Sequence, residues 1–326
     1  MRYIKLQVLI VVRSVLKSRR YAIGVDGGAT KTVALIGTLN GKVIGRGQSG
    51  SSNYHNIGPD AARKSIVAAA SEARKQAGTE DAKPDIAVVA LAAINSPRDL
   101  GTAQRLVRNT KIARVSYVVH DSVAALRAAN QGKPGIVVIS GTGCVAAGIN
   151  KKGRYVRVGG WGYIIDDEGS AYDIGTEALR SAFRALDGRA PRTKLTSALK
   201  RRFRVGRLED ASSSIYHDGL GIEGIAGLAP LVAKLAPTDT VCREILKSAG
   251  LTLAELAFAV AKQLEMTEDK STITLVGGTF KTGRYLLRPF QARIREKCPR
   301  AQVKSMKFEP ALGALSIAVS ELQKQN

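Results

Sequence analysis

An aspartate closes an apolar run in GVDGGATKT, from Gly24 to Thr32, and two glycines, a threonine and a lysine follow it directly. The backbone of Gly27 and Gly28 and the side chains of Thr30, Lys31 and Thr32 could supply donors to phosphate oxygens. The string is not the Walker pattern, because Ala29 and Thr30 precede the lysine where that motif has glycine. Nor is it the dinucleotide fingerprint, since a strand rather than a helix follows the turn. Taken alone, it reads equally as a tight hairpin with a solvated carboxylate.

Two more glycine turns and two acidic segments complete the chemistry-bearing set. In SGTG, from Ser140 to Gly143, Thr142 and Gly143 could grip the same polyphosphate from the opposite side. In LVGGTF, Gly277 and Gly278 end a strand ahead of a helix, which suits a flat base or ribose, or merely a helix cap. Asp121, in HDSVAAL, ends one strand and begins a helix. Its bland role is an N-cap worth about 1 kcal/mol. Its chemical role is a carboxylate at the carboxyl edge of a sheet, placed to take a proton from an attacking hydroxyl. GGWGYIIDDEGS, from Gly159 to Ser170, sets the one tryptophan, Trp161, just ahead of Asp166, Asp167 and Glu168. An aromatic face beside acids suits a sugar, although a glycine-rich connection with solvated acids has the same composition.

The elements that must position these groups repeat. Strand signals at YAIGVD, TVALIGTL and KVIGRG follow one another, the last two joined at Asn40-Gly41, a pair that favours a hairpin with positive φ at both central residues. Pro59 opens a helix that ends near Gly78. Strand and helix then alternate through DIAVVALAAI, LGTAQRLVRN, RVSYVVH and SVAALRAAN. GIVVIS, CVAAGI and RYVRVGG restart the three-strand pattern, and after a long helical region STITLVGG, GRYLLRPFQARIREK and AQVKSMKF restart the alternation. Such a repeat predicts two similar α/β domains with a cleft between them, 21–133 plus 311–326 and 134–310, the last helix packing back on the first domain.

Composition narrows the class further. The 326 residues include 50 Lys and Arg against 27 Asp and Glu, a formal charge of +23, with 44% hydrophobic residues and 33 glycines. That excludes a disordered, collagenous or disulfide-scaffold chain. Cys144, Cys242 and Cys298 are far apart, so neither a zinc site nor a disulfide framework is expected. No apolar run approaches the roughly 18 residues of a membrane span, and residues 1–20 read as a basic extension without a cleavage site. The basic stretch from Arg180 to Arg207 could bind nucleic acid, but it has few aromatics for stacking, Phe183 and Phe203, and no recognised module. A solvated surface that steers polyanions is the simpler account.

In this order, over nearly all of Tyr21 to Leu315, GVDGGATKT, SSNYHNIG, HDSVAAL, SGTG, GGWGYIIDDEGSAYDIG and LVGGTF resemble the N-acetylglucosamine kinase and BadF/BadG type ATPase family. Within it, the sequence looks most like the archaeal ATP-dependent hexokinases. The resemblance implies two duplicated ribonuclease-H-like (actin-like ATPase) domains around an interdomain cleft. It also implies transfer of the γ-phosphoryl group of ATP to the 6-hydroxyl of a hexose or N-acetylhexosamine. In this reading Asp26 holds Mg²⁺ through water, and Gly27, Gly28, Thr30, Lys31, Thr32, Thr142 and Gly143 surround the phosphates. Gly277 and Gly278 receive the nucleoside. Asp121 is the general base, and Asn53, Gly160, Trp161 and Asp167 line the sugar site. Relatives further suggest a homodimer, and the scattered cysteines read as reduced thiols of a cytoplasmic protein. A second implied reading is an ATPase that activates a partner enzyme, which would need an iron-sulfur cluster on paired cysteines. Cys144 and Val145 after the second phosphate turn, Asp166 before the acidic pair and the alanines of LAAIN depart from the family pattern, and they bear on sugar identity.

Overall fold

The computed structural model describes residues 20–92, 94–217, 219–306 and 309–325, so the basic extension lies, except for Arg20, outside the described residues. Strands β1 (Tyr21–Gly27), β2 (Thr32–Thr38) and β3 (Val43–Ser49) form an antiparallel meander, to which β4 (Ile86–Leu91) and β5 (Val115–His120) add parallel to β1. The second sheet holds β6 (Gly135–Ser140), β7 (Cys144–Ile149), β8 (Tyr155–Gly159), β9 (Thr272–Val276) and β10 (Gln302–Ser305). The strand orders β3-β2-β1-β4-β5 and β10-β9-β6-β7-β8 are one connectivity read from opposite ends. The fold is therefore a duplicated α/β domain. β4 is buried along its whole length, as a strand covered on both faces must be.

In the first domain α2 (Pro59–Gln76) starts with proline at its first turn, follows the short α1 (Tyr54–Ile57), and packs on the meander. α3 (Pro97–Arg108) joins it there. In the second, α5 (Ala171–Leu186), α6 (Leu195–Phe203), α7 (Ala211–Tyr216), α8 (Gly221–Ala226) and α9 (Ala229–Leu235) make up the long helical region. The 24-residue α10 (Thr240–Gln263) and α11 (Arg284–Lys297) complete that domain's core.

The asparagine-glycine hairpin differs in type from the expectation. Only Gly41 has a positive φ, 80°, and Gly37 pairs with Val43 after a register shift. A three-residue loop ending in a left-handed glycine has been used instead of a two-residue turn, and the extra residue of the register shift, Ile44, lies on β3 opposite the step from Ile36 to Gly37.

The helix that matters most for position is α4 (Asp121–Asn130). Ala124 packs with α12 (Pro310–Lys324) against the first sheet, whereas Ala125 and Leu126 pack on Val137, Ala147 and Val276 of the second. α4 is thus a wall shared by both domains. α12 sits on it at backbone distance: a Cβ on Gly313 would lie 1.8 Å from the Ala124 carbonyl, and one on Gly24 would lie 2.0 Å from Leu315 N. The first residue of this clamped helix is Asp121.

Candidate active site

The first glycine turn closes β1. Gly28 N–H donates to the Lys31 carbonyl at 3.0 Å, and Thr30 and Lys31 stand exposed at its tip. Thr32, read from sequence among the phosphate donors, is fully buried and its hydroxyl donates to the Gly50 carbonyl at 2.8 Å. That bond ties the turn to the loop bearing Asn53. Among the described residues, none donates a hydrogen bond to the Asp26 carboxylate. Burial, with the negative charges of Asp121 and Glu309 outweighing Lys31, pushes Asp26 up to about 7. An acid so placed lacks a cation, and Mg²⁺ fits because it needs few protein carboxylates when phosphate and water complete its shell.

The second turn is built differently. Ala171 N–H at the start of α5 donates to the Gly141 carbonyl at 2.8 Å, and Thr279 Oγ1 donates to the same oxygen at 3.2 Å. Asp167, left-handed at φ 65°, lies against the turn, where its Oδ1 accepts Cys144 N–H at 2.8 Å. A Cβ on Gly143 would come within 2.7 Å of Asp167 Oδ2, so only glycine leaves room for that carboxylate. Burial, with Asp166 and Asp173, pushes Asp167 up despite the Cys144 N–H. Gly277 has φ 116°, and a Cβ there would lie 2.1 Å from the Ser140 carbonyl. The second and third glycine turns are therefore in backbone contact, with Gly277 and Gly278 exposed.

Asp121 is the first residue of α4, and the N-cap position belongs to His120 instead. Asp121 Oδ1 lies 2.7 Å from His120 Nδ1 and accepts Ser122 N–H at 2.6 Å. Burial opposes the charge, but the hydrogen bonds from His120 and from Ser122 N–H, with the charge of Arg157, hold Asp121 below the usual carboxylate range. Arg157, from β8, places Nη1 2.8 Å from His120 Nε2 and 3.1 Å from Asn95 Oδ1. Its guanidinium lies 4.6 Å from the ring centre of Trp161, whose face is otherwise half open at 54% exposure. Asn53 caps α1, accepting His55 N–H at 3.1 Å. Gly160, at φ 75°, fits under Val145.

The structure thus groups Asp26 with Asp121 electrostatically, Asp121 with Arg157 and Trp161 through His120, and Thr142, Gly143, Asp167 and Gly277 at one bend. His120, Arg157 and Asn95 escape the sequence reading. The only local signal was the alternation of Tyr155 and Arg157 in RYVRVGG, since a strand turns alternate residues to one face. Lys200, Arg201 and Arg202 occupy the last turn of α6, where cations offset the helix dipole. All three cysteines are buried and unpaired. Among the described residues, no group of three or more His, Cys, Asp or Glu could hold a metal, and no helix is long and apolar enough to cross a membrane.

Known proteins resemble this chain over most of its length. An N-acetylmuramic acid/N-acetylglucosamine kinase of Clostridium acetobutylicum is 32% identical over 93% of this chain and 99% of its own. An N-acetyl-D-glucosamine kinase of Dictyostelium discoideum is 30% identical over the same shares. A solved structure from Chromobacterium violaceum, provisionally assigned as an N-acetylglucosamine kinase, superposes with a TM-score of 0.76 at 26% identity, covering 92% of this chain and 99% of that one. A ROK family glucokinase from Streptomyces griseus, solved with glucose and AMPPNP, has the same fold, with a TM-score of 0.59 at 17% identity, covering 94% of this chain and 100% of that one. These relatives do not support the narrower likeness to archaeal hexokinases. Residues 23–318 match the BadF/BadG/BcrA/BcrD ATPase family, and the chain belongs to it.

Proposed function

We propose that this ATP-dependent sugar kinase transfers the γ-phosphoryl group of ATP to the 6-hydroxyl of an N-acetylhexosamine, with Asp121 as general base. The observation that carries the reading is the state of Asp121. One carboxylate oxygen holds two donors, the other holds none among the described residues, and the group is kept ionised beside Asp26 between the two domains. The free oxygen takes the hydroxyl proton as the O6–P bond forms and the bond from Pγ to the bridging oxygen breaks. Gly27, Gly28, Thr30, Lys31, Thr142 and Gly143 position the phosphates, Thr32 acts by anchoring its turn, and Gly277 and Gly278 take the nucleoside. Asn53, Gly160, Trp161 and Asp167 line the acceptor side. Asp26 would hold Mg²⁺ through water, and the ion when bound offsets charge on the phosphate oxygens. Closure of the domains 21–133 plus 311–326 and 134–310 excludes water, which limits hydrolysis. The same reading places a homodimer in the cytoplasm.

ADP release from ATP and Mg²⁺ across a panel of hexoses and amino sugars tests this. Turnover should require a sugar and be fastest with N-acetylglucosamine or a close analogue. Comparable rates with glucose, glucosamine and mannose would point to a hexokinase instead. Sugar-independent turnover would sink the kinase reading in favour of an ATPase that activates a partner.

A further inference from the structure

β8 is the edge strand of the second sheet, and its side chains alternate. Val156 and Val158 turn into the apolar core with α10, whereas Tyr155 and Arg157 turn toward the first domain. They meet the junction of β5 and α4 at adjacent points. Tyr155 Oη lies 2.7 Å from Ser122 Oγ, and Arg157 Nη1 lies 2.8 Å from His120 Nε2.

A guanidinium has five donors and no acceptor. Its short contact with His120 therefore requires Nε2 to carry the lone pair, and a neutral imidazole with a bare Nε2 keeps its hydrogen on Nδ1. Nδ1 lies 2.7 Å from Asp121 Oδ1 and 2.6 Å from Ser122 Oγ. Ser122 N–H also points at Nδ1, at 3.2 Å, but an Nδ1 that carries hydrogen cannot accept it, so this N–H goes to Asp121 Oδ1, at 2.6 Å. Both donors converge on one oxygen, and Oδ2 stays free of protein donors among the described residues.

We propose that Arg157 is a positioning residue for the proton acceptor: donating across the domain boundary to His120 Nε2, it locks the Nδ1–H tautomer, whose hydrogen fixes Asp121 by Oδ1 and leaves Oδ2 for the acceptor hydroxyl. The role of Asp121 in this rests on the kinase reading, whereas the tautomer rests on geometry alone. Because Arg157 also covers Trp161, one side chain joins the aromatic wall of the acceptor site to the base. That chain is complete only while the two domains touch. It follows the logic of a base held in orientation by a third group.

The titratable and charged groups that face Asp121 are His120 on its own junction, Tyr155 and Arg157 from β8, and Asp26 from β1. Substitution of Arg157 removes, among the described residues, the cation that faces both His120 and Asp121, and leaves Asp26 unaltered.

Imidazole ¹⁵N spectra of the full chain read the tautomer directly. With three histidines, His120 is assigned by its loss in His120→Gln. The wild type should show His120 as Nδ1–H at pH 7.5, and Arg157→Met should move it toward Nε2–H. The same variant should lower kcat about tenfold or more, leave the KM for ATP within about twofold, and shift the acidic limb of kcat to higher pH, because Asp121 loses support for its charge. Arg157→Lys, which keeps a cationic donor, should restore part of both signatures. An unchanged Nδ1–H signal in Arg157→Met, or an altered tautomer with unchanged kcat and pH profile, overturns the proposal. Wild-type turnover in Asp121→Asn overturns the base assignment beneath it, so the two failures are distinct.

Discussion

The β1–β2 and β6–β7 turns occupy the same place in two sheets of one connectivity, yet they differ in charge. The first begins at Asp26, a carboxylate without a donor among the described residues that is pushed up to about 7 by burial and facing acids. The second begins at Ser140, a buried hydroxyl that donates to the Gly169 carbonyl at 3.2 Å, and it presents only backbone and Thr142. The carboxylate beside it, Asp167, comes from another segment and is clamped by Cys144 N–H. Duplication supplied the bends, and substitution divided the labour. On the proposed reading, one turn attracts a cation and the other offers neutral donors to an anion. A second unpaired carboxylate there would repel a triphosphate at short range, where screening is weakest.

The comparison breaks most readily at Asp121, the acid that faces Asp26 of the first turn. Asp121→Asn keeps shape and removes the proton acceptor, so kcat for ADP release should fall about 10²–10⁴-fold, while sugar affinity stays within a few fold. Asp26→Asn should follow with a loss of about 10²-fold in Mg²⁺-dependent turnover, the scale of removing one electrostatic stabiliser. An unchanged Mg²⁺ response would end the metal assignment.

The same substitution has a stability signature that the second turn lacks. Asp26 has a higher pKa in the folded chain than in the unfolded one, so the fold holds its proton more tightly. Its contribution to stability is full below the unfolded value, about 4, and is lost as pH rises through about 7. Asp26→Asn escapes that loss. In the absence of nucleotide and metal it should be more stable than wild type by about 1–3 kcal/mol at pH 8, and nearly equal to it at pH 4, by urea unfolding. Thr142→Val should show no such pH-dependent gain.

The duplicated meander was legible because alternating apolar runs and glycine turns are local signals. So was the start of α2, set by Pro59. What depended on tertiary contact was not. Asn40-Gly41 marked a turn, but the count of loop residues, and with it the bulge at Ile44, depends on how β2 and β3 pair. Thr32 read as a ligand donor from its place beside Thr30 and Lys31, yet it points inward to Gly50. The path from Arg157 through His120 to Asp121 joins residues 36 and 37 positions apart on edge strands of different sheets. No spacing rule brings those edges together, and only the packing of α4 against both sheets does.

Two smaller effects sharpen the contrast between the nucleotide side and the acceptor side. Gly143→Ala sets a methyl 2.7 Å from Asp167 Oδ2, so the carboxylate or the turn must move. Overpacking of this kind costs about 1–3 kcal/mol, and the KM for ATP should rise about two- to tenfold if half of that falls on the bound nucleotide. The KM for sugar should change less.

Trp161→Ala should do the reverse, and more weakly. The ring is 54% exposed, so its removal leaves no cavity and should lower stability by less than about 1 kcal/mol. What it loses is the apolar wall for a sugar face and the stacking of Arg157, which at a partly exposed site is worth about 0.5–1 kcal/mol. That sum corresponds to a three- to tenfold rise in sugar KM, at ~1.4 kcal/mol per tenfold, with the KM for ATP unchanged. Because Nη1 of Arg157 is still held by Asn95 and His120, kcat should fall by no more than about threefold. A larger fall in kcat than in sugar affinity would mean that Trp161, not the hydrogen bonds across the domain boundary, keeps Arg157 in place.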